Sequence, residues 1–246
     1  MAVTGLYKHA ITHLSGLVTS AAVNLVNNKV STALVLIGDV FAWAAGTFLS
    51  AILTGNNKYH LGRHYGLGFA INSAVLFGSS IFLIYYHAGD DMNALYQRGI
   101  PDFSEWAVAF ACGVQNGLTS NYSGNLFRTT HATGMWNDTA MLVGHYLRWG
   151  ETKDLWRIKI FFPLFVSFFI GGLLGTVAWN VMQRWALFIP ASYSALFAIA
   201  IFVLRQIPER DYEKIDDGSD YSLESVSYAG TPPSYGSTTP THDHRQ

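Results

Sequence analysis

Long apolar runs alternate with short polar clusters along this chain. Residues 30–53 contain one charged side chain, Asp39, while 65–86, 160–182 and 185–204 contain none. About 20 apolar residues in a helix cross the ~30 Å of hydrocarbon in a bilayer. Each of the four runs is therefore predicted to span a membrane. Three further helical segments are more mixed, at about 11–26, 104–118 and 130–147. A polar loop with Asp90, Asp91 and Asp102 precedes the fourth segment, and a Ser/Asn/Gly link at 119–125 follows it. The basic loop 148–159 joins the fifth and sixth segments, and Gln183 and Arg184 separate the sixth from the seventh. The predicted class is all-α, a polytopic helix bundle of about six or seven transmembrane or re-entrant helices.

The pattern also repeats. Thr12-His13-Leu14-Ser15-Gly16 returns as Thr130-His131-Ala132-Thr133-Gly134, each phrase opening a short helix with scattered polar residues. Ala45-Gly46 is matched by Gly171-Gly172, and residues 72–77 (NSAVLF) by residues 192–197 (SYSALF). Segments one to three thus correspond to segments five to seven, giving repeat one at about 11–86 and repeat two, with the unpaired fourth segment, at about 104–204. A complete first half would carry one more helix upstream of Met1. Paired short polar helices inside a hydrophobic repeat are one way transporters build a midplane site. Gly46-x-x-x-Ser50 and Gly171-x-x-x-Gly175 occupy equivalent places and allow close helix approach, as an internal seam or a homodimer face.

Lys and Arg placement puts the loop 148–159 and the C-terminal tail in the cytoplasm, whether segments one and five span or re-enter. Re-entrant segments would make the halves inverted, and spanning ones parallel. Asn121-Tyr122-Ser123 is a glycosylation sequon that would report a lumenal link. A membrane domain, 1–205, is expected to end where the composition changes. Residues 206–246 are acidic and then rich in Pro, Ser, Thr and Gly, which predicts a disordered cytoplasmic tail. Within it, Pro232-Pro233-Ser234-Tyr235 has the P-P-x-Y form of a WW-domain ligand, and Tyr212 to Ile215 has the form of a sorting signal.

Composition narrows the classes. Half of the 246 residues are hydrophobic and 13% are charged, against about 25% charged in soluble domains. The formal net charge of −1 and the absence of a basic stripe argue against nucleic acid. Cys112 is the sole cysteine, so no intrachain disulfide forms. No metal, nucleophile or phosphate-loop signature occurs, so neither a cofactor nor an enzymatic activity is expected.

The candidate chemistry is polar and intramembrane. Gln115 and Asn116 end segment four, and Thr130, His131, Thr133 and Asp138 lie in segment five, with His13 at the matching place in the first half. His131 and Asp138 are two turns apart on one helical face. Polar groups at membrane depth usually face a cavity or a partner, and His titrates near neutral pH. The expected site binds a small solute, coupled to a proton or ion. The bland reading is that these groups bridge neighbouring helices. Asp39 is either a functional or an interfacial acid.

Gly113-Val114-Gln115-Asn116-Gly117, then Arg128-Thr129-Thr130-His131-Ala132-Thr133-Gly134 and Asp138, resembles the signature of the YoaK family. Thr12 to Gly16 is similar to that family's first-half phrase. The resemblance covers about residues 5–204 and implies a multi-pass membrane protein without an assigned substrate. This chain departs from the pattern at Ala132, in its long tail and in the family's first helix. Two functions follow as expectations: a small secondary transporter, or a non-transporting adaptor whose Pro232, Pro233 and Tyr235 recruit a WW-domain ubiquitin ligase or sorting machinery.

Overall fold

In the computed structural model, residues 11–55, 61–86, 103–124, 126 and 132–204 are described. Among them the secondary structure is helical, without strands. The helices are α1 (Leu14–Val26), α2 (Val30–Thr54), α3 (Arg63–Tyr86), α4 (Phe103–Tyr122), α5 (Ala132–Trp149), α6 (Ile158–Met182) and α7 (Phe188–Leu204). Two 3₁₀ turns, Leu155–Arg157 and Gln183–Leu187, precede α6 and α7.

Among the described residues, three helical stretches are long and apolar enough to cross a membrane: Val30–Thr54, His64–Tyr85 and the run Leu155–Leu204. Their outward faces stay uncovered. Phe41, Phe48 and Ile52 on α2, and Leu173, Leu174 and Val181 on α6, are exposed. Continuous apolar exposure of this extent is unfavourable in water and natural in lipid, where the solvent is itself apolar. The protein is a membrane protein.

Helix directions follow from the contacts. The Trp106 indole donates to Val35 O (3.2 Å) at one end of the α2–α4 pair, and Asn121 Nδ2 donates to Thr54 Oγ1 (2.6 Å) at the other. Both sequence numbers rise together, so α2 and α4 are parallel. Helix α3 runs against α4: Gly68 faces Leu118, while Leu76 and Leu83 share a buried cluster with Val108 and Ala111. Helix α7 runs against α3, with the Phe69 and Phe197 rings in tilted contact (5.6 Å) and Phe77 meeting Phe188 edge-on (5.3 Å). Leu17 and Ala21 of α1 pack on Ala33 and Leu36 of α2. The turn between these two helices uses Asn28 at φ 59°, a left-handed conformation that Asn tolerates better than most residues.

Helices α5 and α6 form a separate antiparallel hairpin, with Trp136 on Phe165 at 4.9 Å. It meets the rest through Trp179 and the 3₁₀ turn Gln183–Leu187. Gln183 has a positive φ of 52°, so the chain breaks direction there rather than continuing α6 into α7.

Two boundaries differ from the sequence expectation. The polar residues 119–122 belong to α4 rather than to a separate link. Thr119 Oγ1 donates to Gln115 O and Asn116 O (both 3.1 Å), and Ser123 Oγ to Thr119 O (2.8 Å), so local bonds keep this stretch wound. Gln183 and Arg184 begin a 3₁₀ turn. The predicted tail, 206–246, lies outside the described residues.

Candidate functional site

The seam between α2 and α4 is built by glycines. A side-chain carbon at Gly46 would strike Phe110 O, one at Gly113 would strike Trp43 O, and one at Gly117 would strike the Ser50 hydroxyl. Only hydrogen at these Cα atoms lets the backbones approach so closely. The Thr47 hydroxyl crosses the seam to Gly113 O (3.1 Å). At the N-terminal end of α4 the Trp106 ring covers Gly38. Immediately beside these two residues lie the acids Asp39 and Glu105, 0% and 4% exposed. Two carboxylic acids are thus enclosed at the same level of a parallel helix pair. Burying a charge there costs several kcal/mol unless it is compensated, so such groups hold a proton, a cation or a polar partner.

A second polar group joins α3 to α7. Asn72, 1% exposed, donates from Nδ2 to Ser194 Oγ (2.9 Å), and the Ser194 hydroxyl donates to Phe69 O (3.1 Å). The Ser73 hydroxyl donates to Ala191 O (2.8 Å) and that of Ser80 to Arg184 O (3.1 Å). Each helix therefore offers a hydroxyl to a backbone carbonyl of the other. Asn72 Oδ1 is buried and accepts no hydrogen bond among the described residues.

A third group closes one end of the bundle. Asn121 Nδ2 lies 2.6 Å from Thr54 Oγ1, 2.7 Å from Gly55 O and 3.4 Å from the Tyr65 hydroxyl. Gly55, at φ 60°, turns the chain out of α2 so that its carbonyl faces Asn121. The sequon is spent on structure: its Asn amide ties α2, α3 and α4 together, and Ser123 is buried.

The residues expected to form one site are distributed. Gln115 is half-buried and Asn116 buried on α4, and Asn116 shares the face of Cys112 and Glu105. His13 is exposed at the start of α1, its ring folded over Gly16 and its Nε2 3.4 Å from the Ser15 hydroxyl. In the phrase at 12–16 the glycine makes room for that imidazole. Thr133 and Asp138 are exposed on α5, which packs on α6 and the 3₁₀ turn Leu155–Arg157. The structure does not bring Thr133 or Asp138 to Gln115 and Asn116, or any of these four to His13. Thr130, His131, Pro232, Pro233 and Tyr235 lie outside the described residues.

Three polar residues gain their roles only in the structure: Glu105, Asn72, which the sequence shows as part of the repeat, and Asn121, which it shows as a sequon. Glu105 was legible as the single acid between 103 and 122, and Asn72 as the one amide in the uncharged run 65–86. Nothing in the sequence marked Asn121 as a tertiary ligand of Thr54 and Gly55, since its sequon suggested a modification site. Among the described residues no group of three or more His, Cys, Asp or Glu is arranged to hold a metal ion.

Residues 1–200 match a family model described as "Protein of unknown function (DUF1275)". No curated protein and no solved structure matches.

Proposed function

The chain belongs to the DUF1275 family of proteins of unknown function, and from that premise we propose that it is a multi-pass secondary transporter for a small solute, coupled to a proton or ion. The observation that carries this reading is the crossing of α3 and α7. The sequence correspondence pairs residues 72–77 with 192–197, and these two helices run antiparallel. Exchanging equivalent positions turns the Phe69–Phe197 contact into one between residues 77 and 189, one position from the Phe77–Phe188 contact found. A near-two-fold relation of this kind fits inverted repeats, with the axis close to Asn72 and Ser194. Transporters built this way place substrate and coupling-ion sites near that axis.

The buried acids supply the coupling. Asp39 is a buried acid within the membrane-length helix α2, and Glu105 is a buried acid in the first turn of α4; ionisable groups at membrane depth commonly mark ion or proton pathways. Gln115 and Asn116, on the same helix as Glu105, offer neutral donors and acceptors to a solute. Asp138, Thr133, Thr130 and His131 would join them in a conformation that moves the α5–α6 hairpin about the turn at Gln183. No chemical conversion of the solute is proposed.

The test is uptake into proteoliposomes with an internal pH dye, over a panel of ammonium, organic acids, amino acids, sugars and nucleobases. Wild type should acidify or alkalinise the lumen with one solute class, and Glu105→Gln and Asp39→Asn should each reduce that signal at least tenfold. Equal signals in wild type and both variants would remove the coupling assignment. No uptake of any panel member by well-folded wild type would remove the carrier. The Pro232-Pro233-Ser234-Tyr235 motif supports a second reading, an adaptor whose tail recruits a WW-domain protein. On that reading Tyr235→Ala alone reproduces the null phenotype.

A further inference from the structure

We propose that the turn between α5 and α6 is a docking surface for anionic phospholipid headgroups of the cytoplasmic leaflet. Its position follows from α6. That helix has 25 residues, or about 37 Å at 1.5 Å per residue, and carries no charged side chain from Ile160 to Met182. Lys159 therefore marks one edge of the hydrocarbon.

Exposed cations gather at this edge. Arg148, Lys153 and Lys159 are exposed and have no ion-pair partner among the described residues. Of the acids in the turn, Asp154 lies 3.5 Å from Arg157 Nε, and Glu151 lies 3.7 Å from His145 Nδ1, an ion pair only when that imidazole is protonated. With His145 neutral, the four cations Arg148, Lys153, Arg157 and Lys159 against the two acids Glu151 and Asp154 leave the turn a net charge of +2 for an outside partner. The opposite end of α6 carries Arg184 alone, so the charge asymmetry places the turn on the cytoplasmic side, where the leaflet is anionic.

Two indoles distinguish a lipid from a free anion. Trp149 and Trp156 are 66% and 49% exposed beside the cations, and the Arg157 guanidinium lies 5.9 Å over the Trp156 ring. Gly150, at φ 71°, ends α5 and leaves Arg148 and Trp149 at the rim. A dissolved phosphate would match the cations and leave the indoles in water. A headgroup layer satisfies both, because Trp favours the boundary between acyl chain and headgroup.

The full-length protein is reconstituted in nanodiscs of phosphatidylcholine, with or without one part phosphatidylserine to four parts phosphatidylcholine. Anionic lipid should raise Tm on the order of 5 °C, and added salt should shrink the gain. The triple variant R148Q/K153Q/K159Q should lose the gain while keeping its far-UV spectrum and its Tm in phosphatidylcholine. Should the triple variant not fold, Lys153→Gln, which lies outside any helix, carries the comparison and should lose about a third of the gain, as one of three cations of roughly equal weight. Equal wild-type Tm in both lipids, or variants that keep the full gain, would overturn the proposal. A matching gain from inorganic phosphate in pure phosphatidylcholine would also overturn it, in favour of a small-anion site.

Discussion

Asn121 shows how one side chain can decide between two readings of the same tripeptide. Its amide is shared among Thr54, Gly55 and Tyr65, so a glycan there would break three helix-end contacts. Asn121 should stay unmodified in a eukaryotic host even with its segment in the lumen, as a glycosidase-insensitive mobility on gels would show. Asn121→Ala leaves the buried Thr54 hydroxyl and the Gly55 carbonyl with fewer partners. It should cost about 1–3 kcal/mol, read as a lowered Tm in detergent. Asp39 and Glu105 also gain their meaning here. Their types and apolar surroundings are visible in the sequence, but their shared level arises because Trp106 lies on Gly38. Periodicity within one helix carries no information about the register of another.

At the scale of elements, the glycine pattern separates into two fates. Gly46 and Gly113 meet backbone atoms of the facing helix, whereas Gly171 has nothing within 4 Å of an added Cβ. Gly113→Leu must push α2 and α4 apart, and overpacking of that kind costs about 1–3 kcal/mol or more. Gly171→Leu should stay within about 0.5 kcal/mol, as surface substitutions usually do. Thermal unfolding of the two variants in one detergent checks the contrast, and equal losses would refute the assignment of the seam. Sequence spacing marked both sites as close-packing motifs and could not tell which one is covered, because coverage depends on where another helix lies.

For the whole molecule, the antiparallel pairing of α3 and α7 is the arrangement on which the inverted-repeat reading rests. Asn72→Cys with Ser194→Cys, in a Cys112→Ser background, should be joined within one molecule by a short reducible thiol crosslinker, since the native side chains are in hydrogen-bond contact at 2.9 Å. A gel shift reversed by reductant is the expected result. Crosslinking only between molecules would contradict the pairing.

The apolar runs determined by themselves that this chain is helical and suited to lipid, because the length and uniform apolarity of a segment are properties of the segment alone. They also placed a break at Gln183 and the helix start near Val30, though not the 3₁₀ form of the break. Tertiary structure alone decided that α2 is parallel to α4, that α3 crosses α7 at Asn72 and Ser194, and that α5 stands apart from α4 with Asp138 exposed. Those outcomes depend on glycine-sized gaps and on hydrogen bonds between residues more than 60 positions apart, such as Thr47 with Gly113 and Asn72 with Ser194. Partners so distant exist only once the helices have met.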